Sequence, residues 1–118
     1  MTKTQKTHLK TLVKALESGE YAQISHCLCK IGEKYDYFCA MGVACNIYQL
    51  ETGKLAVTED SLKEYLRYNG SVLYAPSSVL HYFGFLEEQK TSLMRKNDIG
   101  ASFDEIAKHL KDKILNAK

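Results

Sequence analysis

Phe38-Cys39-Ala40-Met41-Gly42-Val43-Ala44-Cys45 carries no charge and no hydrogen-bonding side chain beyond two thiols. It continues as Asn46-Ile47-Tyr48-Gln49-Leu50 and is closed by Glu51-Thr52-Gly53. The run is too long and too poor in β-branched residues for a strand. Residues 39–50 are therefore expected to form a central buried helix, packed on all sides. Gly42 in its middle suggests a neighbour that approaches the helix backbone closely.

Helices are also expected on either side. Leu9, Leu12, Val13 and Leu16 recur at i, i+3, i+4 and i+7 and predict an amphipathic helix over residues 4–18. Lys3, Lys6, Lys10 and Lys14 form a second stripe on it, and Gly19 suits the left-handed residue past its end. Near the other terminus, Ser102-Phe103-Asp104-Glu105 has capping-box spacing, and Phe103, Ile106, Ala107, Leu110 and Ile114 make one apolar face. Lys111, Lys113 and Lys118 then complement the dipole at that helix's end.

Between these, residues 24–30 and 34–38 read as a short β-hairpin around Ile31-Gly32-Glu33. Ser61 and Glu64, spaced as a capping box, predict a helix over residues 61–68, followed by a short strand at residues 72–74. Pro76 pre-sets a helix over residues 77–83, Gly84 breaks it, and residues 87–96 form another. The expected fold is α+β: a predominantly helical single domain, residues 1–118, with a short hairpin or small antiparallel sheet.

Composition narrows the class. Of 118 residues, 45% are hydrophobic and 25% charged, which fits a globular core without metal or disulfide support. A net charge of +2 falls short of the basic bias of a dedicated nucleic-acid binder. No apolar segment approaches the ~20 residues that span a membrane. Residues 1–10 lack the apolar centre of a secretory signal. A cytoplasmic protein is expected, with its four cysteines reduced.

Four patterns recur in order along the chain. They are Ala15-Leu16-Glu17-Ser18-Gly19-Glu20-Tyr21, then Tyr37-Phe38-Cys39-Ala40-Met41-Gly42-Val43-Ala44-Cys45-Asn46, then Ala75-Pro76-Ser77-Ser78-Val79-Leu80-His81-Tyr82-Phe83-Gly84-Phe85, and last Asn97-Asp98-Ile99-Gly100-Ala101-Ser102-Phe103-Asp104-Glu105-Ile106-Ala107. The set resembles a group of small uncharacterised proteins common in genomes of bacterial viruses. Their motifs run "ALxSGxYxQ", "FCCLGVxCD", "LPxxVxxWxGL" and "LNDxGxSFxxIAxxI". This chain has Ala40 for a second cysteine, Asn46 for an acid and Phe83 near the usual tryptophan. The resemblance implies a viral origin and a compact α+β domain, and it implies no activity; with a viral origin, the cytoplasm expected above is that of the host.

The residues bear on several chemistries. Zinc would draw on His26, Cys27, Cys29, Cys39 and Cys45. Zinc knuckles place cysteines as C-x2–4-C, whereas Cys27 and Cys29 are one residue apart. Cys39 and Cys45, six apart on a helix, would diverge by about 240°. Buried thiols acting as small hydrophobes are the simpler reading, and no metal or cofactor is assigned. A cysteine nucleophile needs a histidine within reach. None of His8, His26, His81 and His109 sits in such a signature, and His8 and His109 read as solvated helix positions. A nucleic-acid surface would use the lysine stripe and tyrosines, but only Arg67 and Arg95 supply arginine. Asn97-Asp98-Ile99-Gly100 reads as a helix–helix turn with Gly100 at a special φ rather than an anion site.

The leading expectation is a non-enzymatic, virus-encoded protein that binds a host protein. Its surface would be residues 65–85, with Tyr65, Tyr68, Tyr74 and Tyr82, steered by Lys3, Lys6, Lys10 and Lys14. The alternative is a small-ligand binder, such as a sponge for a host signalling nucleotide. Tyr37, Tyr74, His81 and Tyr82 would line its pocket, with lysines opposing phosphate. A nucleic-acid accessory protein and an enzyme rank below both.

Overall fold

A computed structural model describes residues 1–116; Lys118, expected to complement the last helix, lies outside the described residues. The elements are α1 (Lys3–Glu17), β1 (Ala22–Gln23), β2 (Cys29–Lys30), β3 (Tyr37–Phe38), α2 (Ala40–Thr52), β4 (Val57–Glu59), β5 (Leu66–Tyr68), α3 (Ser77–Phe83), α4 (Glu87–Asp98) and α5 (Phe103–Leu110). A π-helical stretch, Lys111–Leu115, extends α5. The fold is α+β, with helices dominant. Among the described residues no helix is long and apolar enough to cross a membrane.

α2 is the central element: it touches α1, α3 and α4, while α1 also packs on α5. Its residues from Ala40 to Cys45 are all buried, and so are Ile47 and Tyr48. The expectation of packing on all sides fails at the C-terminal turn, where Leu50 is 76% exposed. There the helix emerges from the core and ends on Gly53, whose φ of 65° is left-handed. Cys39 stands just outside the helix as its N-cap, with Sγ accepting from the Gly42 N–H at 3.3 Å. Of the glycines, Gly42 has the least room for a side chain. A Cβ there would lie 1.8 Å from the Leu28 carbonyl oxygen, so the β2 segment rests directly on the helix backbone.

The stripe Leu9, Leu12, Val13 and Leu16 is buried as its period required. α5 keeps its capping box: Ser102 Oγ accepts from Glu105 N–H and Glu105 Oε1 from Ser102 N–H, both at 3.1 Å. α3 and α4 form where Pro76, Gly84 and the apolar periodicity placed them.

The strands need correction. The expected hairpin survives as two residue pairs, Cys29 with Phe38 and Lys30 with Tyr37. β1 adds itself in parallel on the other side of β3, so the sheet is mixed, in the order β1-β3-β2. The predicted helix over residues 61–68 is instead the turn and second strand of a hairpin, β4 with β5. Ser61 caps nothing. The Asp60 carboxylate accepts from the Glu64 and Tyr65 amides at 2.8 and 3.2 Å and closes a turn. Lys63, at φ 54°, takes a left-handed conformation that interrupts any helix. Residues 72–74 form no strand, although Val72 accepts from the Leu28 N–H at 2.9 Å.

Candidate functional site

The start of α2 is fixed by residues far away in sequence. Its first amides have no intrahelical acceptor. Ala40 N–H donates to Asn97 Oδ1 at 3.1 Å, and Gly42 N–H to the Cys39 sulfur. Asn97 is 1% exposed, and both polar atoms of its side chain are engaged in such bonds. Oδ1 also accepts from Gln23 Nε2 at 3.0 Å, and Nδ2 donates to the Ile24 carbonyl at 2.7 Å. Gln23 closes the node by donating to Ala101 O and accepting from Phe103 N–H. One buried amide thus joins α4, α2 and the β1–β2 loop.

Beside this node lies a cleft of about 310 Å³. Cys27, Cys39, Ala40 and Met41 form its floor, Leu73 and Tyr74 one wall, and Met94 with Asp98 the other. His26 stands at the mouth with φ 69°. That backbone is held by its N–H donating to Asp98 Oδ1 at 2.9 Å, and its ring Nδ1 lies 3.5 Å from Asp98 Oδ2. A second hollow of about 330 Å³ shares Tyr74, Met94 and Asp98 with the first. It extends the cleft along α4 past Lys90, Thr91 and Arg95 to Ile99. Beside the exposed His26 and Arg95, the rim presents apolar side chains to solvent: Leu73 is 49%, Tyr74 59% and Ile99 78% exposed. Lys90 lies over the Tyr74 ring at 5.6 Å and pairs with Glu87 at 2.7 Å, whereas Arg95 makes no ion pair among the described residues.

The five candidate zinc ligands separate. Cys27, Cys39 and His26 reach the cleft, while Cys29 and Cys45 are sealed in the core. Among the described residues no three His, Cys, Asp or Glu side chains form a group that could hold a metal ion. Burial, reinforced by Asp36, pushes the Cys29 thiol up to about 12. Burial also raises Cys39 to about 11 against the opposing pull of the Gly42 and Met41 amides. Cys27 and Cys45 are raised for the same reason. These are protonated thiols near neutral pH, the reverse of what a nucleophile needs.

The tyrosine surface is dispersed as well. Tyr68 is buried beside Cys29, and Tyr65 is half-buried at the hairpin turn. Tyr82 stacks face to face on His8 with 3.6 Å between centroids, and its hydroxyl donates to Glu51 Oε1 at 2.5 Å. His8 is therefore no solvated position: its Nδ1 lies 2.8 Å from the Tyr82 carbonyl oxygen. His109 is half-buried too, and burial together with Lys96 and Lys113 lowers its pKa. The postulated pocket of Tyr37, Tyr74, His81 and Tyr82 does not assemble. Tyr74 lines the cleft, His81 a separate groove, and Tyr37 a hollow with Tyr35. Lys3, Lys6, Lys10 and Lys14 are all exposed along α1. Met94 was not foreseen as a site residue, and Asn97 and Asp98 were read as part of a helix–helix turn rather than a site. The signal available was an Asn-Asp pair at the end of an otherwise amphipathic helix.

Residues 4–88 match the model of a family described as a domain of unknown function, DUF8296. The chain belongs to this family. No curated protein and no solved structure gives a match. In DUF8296 terms, the matched region holds α1, α2, both hairpins and the Tyr74 wall, while Met94, Asn97 and Asp98 come from α4 beyond it.

Proposed function

We propose that this is a binding protein, encoded by a bacterial virus, that engages a host protein through the cleft between Tyr74 and α4. The observation that carries the reading is the sharing of Tyr74, Met94 and Asp98 by two hollows, which makes one elongated cleft with an exposed apolar rim. Solvent-facing apolar side chains gathered around a concavity are what recognition sites present. The occupant is a short segment of the partner. One apolar side chain sits on the Cys27, Ala40 and Met41 floor, and a carboxylate faces Arg95, a rim cation with no acid partner among the described residues. An enzyme fits less well, since burial holds the cleft thiols in their protonated form.

The test is selection of short random peptides displayed against the full chain, followed by mapping on the amide spectrum. Enriched peptides should pair an apolar residue with a nearby Asp or Glu and shift residues 26–28, 39–41 and 94–99. Tyr74→Ala and Arg95→Glu should each weaken them about tenfold while leaving thermal stability intact. Peptides that map elsewhere, or that ignore both substitutions, overturn the reading.

A further inference from the structure

A second concavity of about 570 Å³ lies between the start of α1, the α3–α4 junction and the π-helical stretch. It is built from the opposite side of α4: Leu86 and Gln89 face it, whereas Lys90, Met94 and Asp98 face the cleft. Two lysines from distant parts of the chain, Lys6 and Lys113, line it together with His81. No carboxylate lines it among the described residues. Phe85, Leu86 and Ile114 supply an apolar wall.

Two cations that share a hollow without an acid repel each other, and this arrangement is opposed a second time. Lys3 and Lys6 lie in the first turns of α1, whose first turn holds no acid, at the end where the helix dipole already favours negative charge. A helix selected only for stability would carry acids there. The scaffold around the lysines is nonetheless fixed. Thr2 and Gln5 form a reciprocal capping box, and Gln5 Nε2 donates to the His81 carbonyl at 2.7 Å, tying α1 to α3. Gly84 lets the α1 end sit close, since a Cβ there would approach Met1 Cε to 2.8 Å.

We infer that this groove binds a small phosphate-bearing molecule with a flat apolar body, of the size of a nucleoside monophosphate. The phosphate sits between Lys6 and Lys113, and the ring lies on Phe85, Leu86 and Ile114. The volume falls within the range of about 300–1,000 Å³ typical of small-molecule sites. Lys3, Lys10 and Lys14 lie along the same helix outside the groove and attract the anion without holding it.

The experiment titrates the full chain with the four common nucleoside monophosphates, and separately with inorganic phosphate and with adenosine. Amide and methyl spectra locate the site. At least one nucleotide should saturate and shift Lys6, His81, Leu86 and Ile114, binding more tightly than either phosphate or adenosine. The double variant Lys6→Glu with Lys113→Glu should lose at least about tenfold in affinity at unchanged melting temperature. Lys10→Glu with Lys14→Glu should lose far less. The inference is overturned if no nucleotide saturates, if phosphate alone binds as well as the nucleotide, or if both double variants weaken binding equally. Because the cleft residues play no part, failure here leaves the peptide reading untouched, and the reverse holds too.

Discussion

Gly42 has no room for a side chain, because the Leu28 carbonyl oxygen and carbon lie 1.8 and 2.7 Å from where a Cβ would stand. Both are backbone atoms, so relief requires the chain at Leu28, just before β2, to move off α2. Gly42→Ala should cost about 1–3 kcal/mol or more in urea unfolding. Gly53→Ala meets open space and carries only the strain of a left-handed residue, about 1 kcal/mol. Equal costs at the two positions would show that the β2 contact gives way easily. Cys39 permits a second comparison, because its sulfur acts where Ser, Thr, Asp or Asn usually cap. Cys39→Ser keeps an acceptor for the Gly42 amide and Cys39→Ala removes it. Serine should therefore be the more stable variant by about 1 kcal/mol in the same assay. An alanine variant at least as stable as the serine one would mean that the capping bond contributes nothing.

α4 shows how one polar residue can position an element. Leu93 is its one fully buried apolar anchor, with Met94 packed beside it, and Asn97 adds hydrogen bonds to Ala40, Gln23 and Ile24. Asn97→Leu keeps the branching at Cγ but is larger than the residue it replaces, and it strands a buried N–H and a buried C=O, each worth about 1–3 kcal/mol when left unpaired. The expected loss is roughly 3 kcal/mol, with faster hydrogen exchange at Ala40 and in residues 22–26. A loss under about 1 kcal/mol would mean that Leu93 and Met94 alone hold the helix. The same node explains what the sequence could reveal. α1, α2 and α5 were legible because stripes such as Leu9, Leu12, Val13 and Leu16 repeat for several turns, and because caps such as Ser102 with Glu105 are local. The β4–β5 hairpin was not, since three-residue strands are too short to show alternation and Ser61 with Glu64 imitates a cap. The Asp60 carboxylate, one residue earlier, decides the turn. The cleft was invisible for a different reason. His26, Cys39, Tyr74 and Met94 come from four segments that only tertiary packing brings together.

For the molecule as a whole, the buried thiols set an alkaline limit. In the folded state the Cys29 thiol is pushed up to about 12 and Cys39 to about 11, and burial raises Cys45 and the Tyr68 phenol further still. A free thiol titrates near 9.0. Below that pH both the folded and unfolded chains keep their protons, and stability is independent of these groups. Between 9.0 and about 11 to 12 the unfolded chain releases thiol protons that the folded chain retains, so rising pH favours unfolding. Each thiol contributes a slope approaching roughly 1.4 kcal/mol per pH unit once it is ionised in the unfolded chain. Urea midpoints measured under reducing conditions should stay flat to about pH 8.5 and then fall steeply toward about pH 10.5. Cys45→Ala should make that fall shallower, because one proton fewer is released on unfolding, even though the variant starts from a lower stability at neutral pH. The slope is the informative quantity, since lost packing moves the whole curve and leaves its steepness alone. Parallel curves for the two proteins above about pH 9 would show that Cys45 ionises within the folded core despite its burial.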